Sequence, residues 1–162
     1  MSGDVDVEAL VSALDYPMYV VTTRAGDDRA GCLVGFTTQT SIDPPRFLAC
    51  ISKANATART VDSATHVAVH LLRRDGMDLA RLFGEESEDW ADKFAQCEWH
   101  DGPYDIPVLD GSAAWFVGEI IDRLDVGDHT GLLLAPVATS GHATSDVLTF
   151  QQLKDLDPGH PA

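Results

Sequence analysis

Residues 16–52 read YPMYVVTTRAGDDRAGCLVGFTTQTSIDPPRFLACIS, and their punctuation decides the fold. Tyr16–Arg24 is dense in β-branched and aromatic residues, which suit a pleated, half-buried surface, so a strand is predicted there. Ala25-Gly26-Asp27-Asp28 is a turn, and Ala30–Thr40 continues as a second apolar strand. Asp43-Pro44-Pro45 stops the pairing, because proline has no N–H to give to a ladder. Arg46–Ser52 is the third strand.

Outward from this stretch the same grammar continues. A short helix starts at Asn55 or Ala56, and His66–Leu72 is a fourth strand. Ala113–Leu124 and Gly131–Thr139 are two more, separated by Val126-Gly127-Asp128-His129. Between Asp78 and Gln96 the apolar spacing turns helical: Leu79, Leu82 and Phe83, then Trp90 and Phe94, fit two short helices. Gly102-Pro103 and Ile106-Pro107 mark an irregular excursion. Val7, Leu10, Val11 and Leu14 share one helical face over Asp6–Leu14, and Leu148–Leu156 ends in a helix. Six or so strands with hairpin-like connections and no βαβ alternation predict a mainly β, antiparallel barrel with short peripheral helices.

The 162 residues allow one domain (1–162, with its core over about 16–139) and leave no room for two full-sized ones. A 44% hydrophobic content is ordinary for a globular chain, and the net charge of −15 opposes docking onto nucleic-acid phosphates or anionic lipid. No nucleic-acid or membrane partner is therefore expected, and an anionic ligand must be met by a local patch of donors. Cys32, Cys50 and Cys97 form an odd set without CxxC spacing, and no basic, cleavable leader opens the chain. A reducing cytoplasm is the expected compartment.

Three segments can carry chemistry. Ser52-Lys53-Ala54-Asn55-Ala56-Thr57-Ala58-Arg59 lies where a strand gives way to a helix, and helix starts present unpaired N–H groups suited to a phosphate. The same residues can equally be a plain helix cap among solvated cations. Gly35 sits inside the apolar run Leu33-Val34-Gly35-Phe36-Thr37, which admits either a bulge or the close approach of a flat ligand. Gly127-Asp128-His129-Thr130-Gly131 is a turn whose histidine is a donor near neutral pH, or merely a polar turn residue. Metal is not expected, because His66 and His70 on one strand stand about 13 Å apart at ~3.3 Å per residue. Neither GxGxxG nor GxxxxGK[ST] is present, so no separate nucleotide fold is expected.

Taken in order, these segments resemble the flavin reductase family with its FMN-binding split β-barrel. Gly31…Ser41-Ile42-Asp43-Pro44-Pro45 resembles the family's glycine-to-Ser-Leu-Asp-Pro-Pro signature, and Ser52-Lys53-Ala54-Asn55 its phosphate segment. Leu79-Ala80-Arg81-Leu82-Phe83-Gly84, with Lys93-Phe94 behind it, resembles the Leu-Ala-x-x-Phe helix, and Gly127-Asp128-His129-Thr130 the Gly-Asp-His turn. The resemblance covers about Tyr16 to Val137. It implies a homodimeric Greek-key split barrel that binds FMN, less often FAD, takes hydride from NAD(P)H, and can supply a partner monooxygenase. Leu33, Val34, Gly35, Phe36 and Thr37 would line the flavin ring. Ser52, Lys53, Asn55 and Thr57 would hold the phosphate, and His129 would stand near flavin and nicotinamide. The family often has Thr-Ala-Asn-Ser where this chain has Leu33-Val34-Gly35-Phe36, so side-chain hydrogen bonds to the ring are lost. A non-catalytic flavin carrier or sensor, and a deazaflavin-dependent reductase on a related barrel, are the alternatives.

Overall fold

The computed structural model describes residues 5–85, 92–142 and 144–154. Its framework is one seven-stranded antiparallel sheet built from β1 (Tyr19–Ala25), β2 (Asp28–Val34), β3 (Thr37–Ser41), β4 (Arg46–Ser52), β5 (His66–Leu71), β8 (Ala114–Asp125) and β9 (His129–Thr139), in the order β2-β1-β5-β8-β9-β4-β3. A separate two-stranded ribbon, β6 (Trp99–Asp101) and β7 (Pro107–Leu109), occupies the excursion expected to be irregular. The expected count of about six strands is corrected to seven in the main sheet. The run Ala30–Thr40 is two strands, broken at Gly35-Phe36.

That break rolls the sheet. β2 and β3 are its opposite edges, yet only Gly35 and Phe36 separate them in the chain. Laid flat, seven strands would hold the outer two about 29 Å apart at ~4.8 Å per step. The connector reaches only about 11 Å at ~3.8 Å per Cα step. The sheet must therefore curl until its edges approach, and the Phe36 carbonyl, accepting from Cys50 N–H at 2.9 Å, carries the β3–β4 ladder one residue into the connector.

Curling sends alternate side chains inward. Val21, Cys32, Val34, Ile51, Val69 and Leu132, from five strands, bury one common cluster together with Val61 of α2 (Thr57–Ser63). The outer face of β1 is covered by a second cluster, in which Val20 meets Phe83 of α3 (Met77–Glu85) and Leu153 of α4 (Phe150–Leu153). Two glycines permit that close cover: a Cβ on Gly31 would lie 2.8 Å from Phe83, and one on Gly84 2.7 Å from Leu33. The second expected helix is a single 3-10 turn, Lys93–Gln96. Trp90 and Leu156, assigned to helices from the sequence, lie outside the described residues. The N-terminal helix α1 is shorter than expected, Glu8–Val11, and none of its residues is buried.

Candidate functional site

A groove of about 520 Å³ opens where the sheet curls. Its floor is the end of β2 and the connector, Leu33, Val34, Gly35 and Phe36. One wall comes from β4, the loop after it and β9: Cys50, Ser52, Asn55, Asp128 and His129. The opposite wall comes from the helices and the chain entering β1: Tyr16, Phe83, Gly84, Phe150, Leu153 and Lys154.

The polar wall is set by register. β4 and β9 pair antiparallel with Ser52 opposite His129, which brings the strand-to-helix segment beside the Gly-Asp-His turn. The Asp128 carboxylate lies 2.7 Å from His129 Nδ1, and the imidazole rests against Phe36 at 4.9 Å between ring centres. With its side chain only 16% exposed, His129 is a held ring at the head of β9. Phe36 is 55% exposed, an unusual position for a large aromatic, and it forms the lip on this side.

The donors at the start of α2 are largely used inside the protein. Ser52 Oγ accepts from Ala54 N–H at 3.2 Å, and Asn55 Oδ1 accepts from Thr57 N–H at 2.9 Å. Asn55 thus closes a turn just ahead of α2, whose N-cap position is Ala56 and carries no side-chain cap, while still lining the groove. Lys53 is not among the lining residues: its Nζ lies 2.8 Å from Asp125 Oδ1. That bond, with Gly127 N–H, holds the Asp125 carboxyl below its ordinary range. Thr57 is fully buried. Thr37 sits on β3, where its hydrogen bond to Tyr19 partly offsets the upward push that burial gives the Tyr19 phenol. Of the ten residues expected at a site, seven therefore line one groove, and Thr37, Lys53 and Thr57 do not.

Gly35 has a different reason from the one its place in a strand suggests. A Cβ there would lie 2.9 Å from Tyr16 and 3.2 Å from the Met18 sulfur. The protein's own side chains occupy that space. Cys50 also lines the groove, and burial pushes its thiol up, so it stays protonated near neutrality. His70 lies on β5 with its ring nitrogens against Val20 O and Leu109 N, within the fold.

The helical wall was missed in the sequence. Tyr16 and Phe150 stack at 4.9 Å with planes 13° apart, although they are separated by nearly the whole chain. Gln151 fixes α4 in place: its Nε2 donates to Ser12 O and Leu14 O, and its N–H donates to the Asp15 carboxylate. The signal available was Phe150 and Leu153 at helical spacing after Leu148, which predicts a packed helix but not what it packs on.

A rolled antiparallel sheet, split at one seam and grooved there by an apolar floor between a polar and an aromatic wall, defines a split barrel built to take a small organic ligand or cofactor. The family model for the flavin reductase like domain matches residues 11–155, and the chain belongs to that family. It is 34% identical over 134 residues to the stachydrine N-demethylase reductase subunit of Rhizobium meliloti (strain 1021), covering 80% of this chain and 57% of that protein. It is 32% identical over 117 residues to the reductase component of the flavin-dependent trigonelline monooxygenase of Acinetobacter baylyi, covering 70% and 36%. The chain thus spans little more than half of one relative and about a third of the other. The crystal structure of a flavin reductase domain protein from Arthrobacter sp. FB24 has the same fold, with a TM-score of 0.81 at 21% identity over 96% of this chain and 93% of that one.

Proposed function

We propose that the groove holds a flavin, FMN or FAD, and that the chain is an NAD(P)H-dependent flavin reductase supplying reduced flavin to a partner monooxygenase. The observation that carries this reading is the groove itself, where Leu33–Phe36 lie between Ser52, Asn55 and His129 on one side and Tyr16 and Phe150 on the other. Its volume of about 520 Å³ lies within the range of cofactor pockets, roughly 300–1,000 Å³. An apolar floor with polar groups gathered on one wall matches a flat conjugated ring carrying a polar chain, so the residues present fit the group.

A bound flavin supplies the two-electron chemistry, accepting hydride from reduced nicotinamide. The protein supplies position and field. β2 is a sheet edge paired only with β1, so the backbone of Leu33, Val34 and Gly35 meets the ring where side-chain donors are lacking. Ser52 and Asn55 meet the hydroxyls of the polar chain, with Thr57 and the Lys53–Asp125 pair holding their loop. His129, fixed at Nδ1 by Asp128 and packed on Phe36, orients the nicotinamide and stabilises negative charge from its remaining edge. A second copy of the chain completes the assembly, and Cys32, Cys50 and Cys97, none of them in a disulfide, suit a reducing cytoplasm.

The absorption spectrum of the protein titrated with FMN, FAD or a deazaflavin, followed anaerobically after adding NADH or NADPH, tests this. Binding of FMN or FAD and bleaching by a reduced nicotinamide are expected. A bound flavin that no nicotinamide reduces would return the carrier or sensor reading, which the apolar floor also suits. Replacing His129 by alanine should slow the bleaching by about 10-fold, less than the 10²–10³ of a donor acting only in the transition state. Equal rates in stopped-flow would leave His129 without that role.

A further inference from the structure

The chain carries eleven Lys and Arg against twenty-six acids, and the structure shows how six of those cations are engaged. Arg24, Lys53, Arg73 and Arg74 each face an aspartate. Lys93 is buried against the Phe83 carbonyl, and Arg123 donates to Val61 O and Ala64 O at the end of α2. Among the described residues, the one Lys or Arg that lines the groove is Lys154. It stands on the wall opposite Ser52 and Asn55, directly after Leu153, which is buried.

Lys154 is not on a loose tail. The helix before it has a capping box between Thr149 and Gln152, is bonded through Phe150 N–H to Tyr16 O, and is clasped by Gln151 to Ser12 and Leu14. Among the described residues, the one carboxylate side chain that lines the groove, Asp128, is engaged with His129. In a chain of net charge −15, a phosphorylated ligand is repelled at long range, and a cation at the groove is what makes its approach favourable.

We propose that Lys154 is the phosphate-binding cation of this groove, a role the sequence offered to Lys53. The assignment rests on the reading of the groove as a flavin site. Two ligands bring phosphate there, the flavin mononucleotide and the nicotinamide dinucleotide, and one set of variants separates them. K154M and K154R are each titrated with FMN and with riboflavin at low and at 0.15 M salt, and the KM for NADH is measured at saturating flavin.

If the flavin phosphate is the partner, K154M weakens FMN roughly 3- to 10-fold, leaves riboflavin unchanged and loses most of its effect at the higher salt. If the dinucleotide is the partner, both flavins bind as before and the KM for NADH rises by a similar factor at unchanged kcat. In either case K154R restores the wild-type value. Equal weakening of FMN and riboflavin, or no change in FMN affinity and KM, overturns the assignment. A wild-type protein that binds neither flavin overturns the reading of the groove and this assignment with it, whereas FMN affinity and a KM for NADH that both ignore Lys154 overturn the assignment alone.

Discussion

Both ring nitrogens of His70 are committed inside the protein. Nε2 accepts from Leu109 N–H at 3.0 Å, so Nδ1 carries the proton and donates to Val20 O at 2.9 Å. This neutral tautomer ties β5 to β1 and to the β6–β7 ribbon without exposing any of the ring. Burial depresses the histidine's pKa to about 4 from its ordinary 6.5, with the Val20 hydrogen bond opposing. A folded value below the unfolded one means that stability is fully present above pH 6.5 and drains away as the pH falls towards 4. Between pH 7.5 and 5.0 the loss from this residue alone is about 2 kcal/mol at ~1.36 kcal/mol per unit. Urea unfolding at those two pH values should show it in the wild type. H70N should be less stable at pH 7.5 but lose about 2 kcal/mol less on acidification. An unchanged pH difference in the variant would assign the acid sensitivity to the carboxylates instead.

Among the elements, the strands were the legible part. Val, Ile, Thr and aromatic runs bounded by glycine and proline placed β1, β4, β5, β8 and β9 within a few residues, because such runs have one stable use in a rolled antiparallel sheet. The break between β2 and β3 was hidden, since Gly35 lies among apolar residues and its cause, Tyr16 and Met18, is distant in sequence. The polar half of the groove was legible for the same local reason: a strand end and a turn carry their own chemistry. The helical half was not, because it depends on the two ends of the described chain meeting, and no local pattern announces that Gln151 reaches Ser12 and Leu14. Gly84 gives this wall a sharp test. A methyl group on it would lie 2.7 Å from Leu33 Cδ2 and 3.3 Å from Leu33 Cβ, so G84A must displace the Leu33 side chain of the floor or α3 itself. Overpacking of this kind costs about 1–3 kcal/mol, measurable by urea unfolding. FMN and riboflavin should both weaken by the same factor, since the floor and not the phosphate contact has moved. A variant of wild-type stability and affinity would mean that α3 can shift without disturbing Leu33.

For the whole molecule, the unfinished surface lies on the β8–β9 hairpin. β5 pairs with β8 only as far as Glu119, while β9 follows β8 to Asp125, so the far end of the hairpin runs beyond its neighbour on one side. Ile121, Leu124 and Val126 on this arm are each at least 40% exposed, and Ile42, next to the proline pair, is 84% exposed. Scattered apolar side chains are common on surfaces, but several on a protruding arm with an unpaired strand edge form a surface that a second chain can cover. The net charge of −15 opposes self-association at long range, so a dimer must derive its free energy from this apolar contact and tighten as salt screens the repulsion. Light scattering of the wild type at 0.15 M salt should therefore give twice the chain mass of 17.4 kDa. Adding a charge at the centre of the arm, as in L124D, should give the monomer with its secondary structure intact, because the side chain does not belong to either main core cluster. Flavin affinity in that variant decides whether the second copy also completes the groove: a loss for FMN and riboflavin alike would show that it does. A wild-type protein that runs as a monomer, with flavin bound and reducible, would leave the arm for another partner and make the groove complete within one chain.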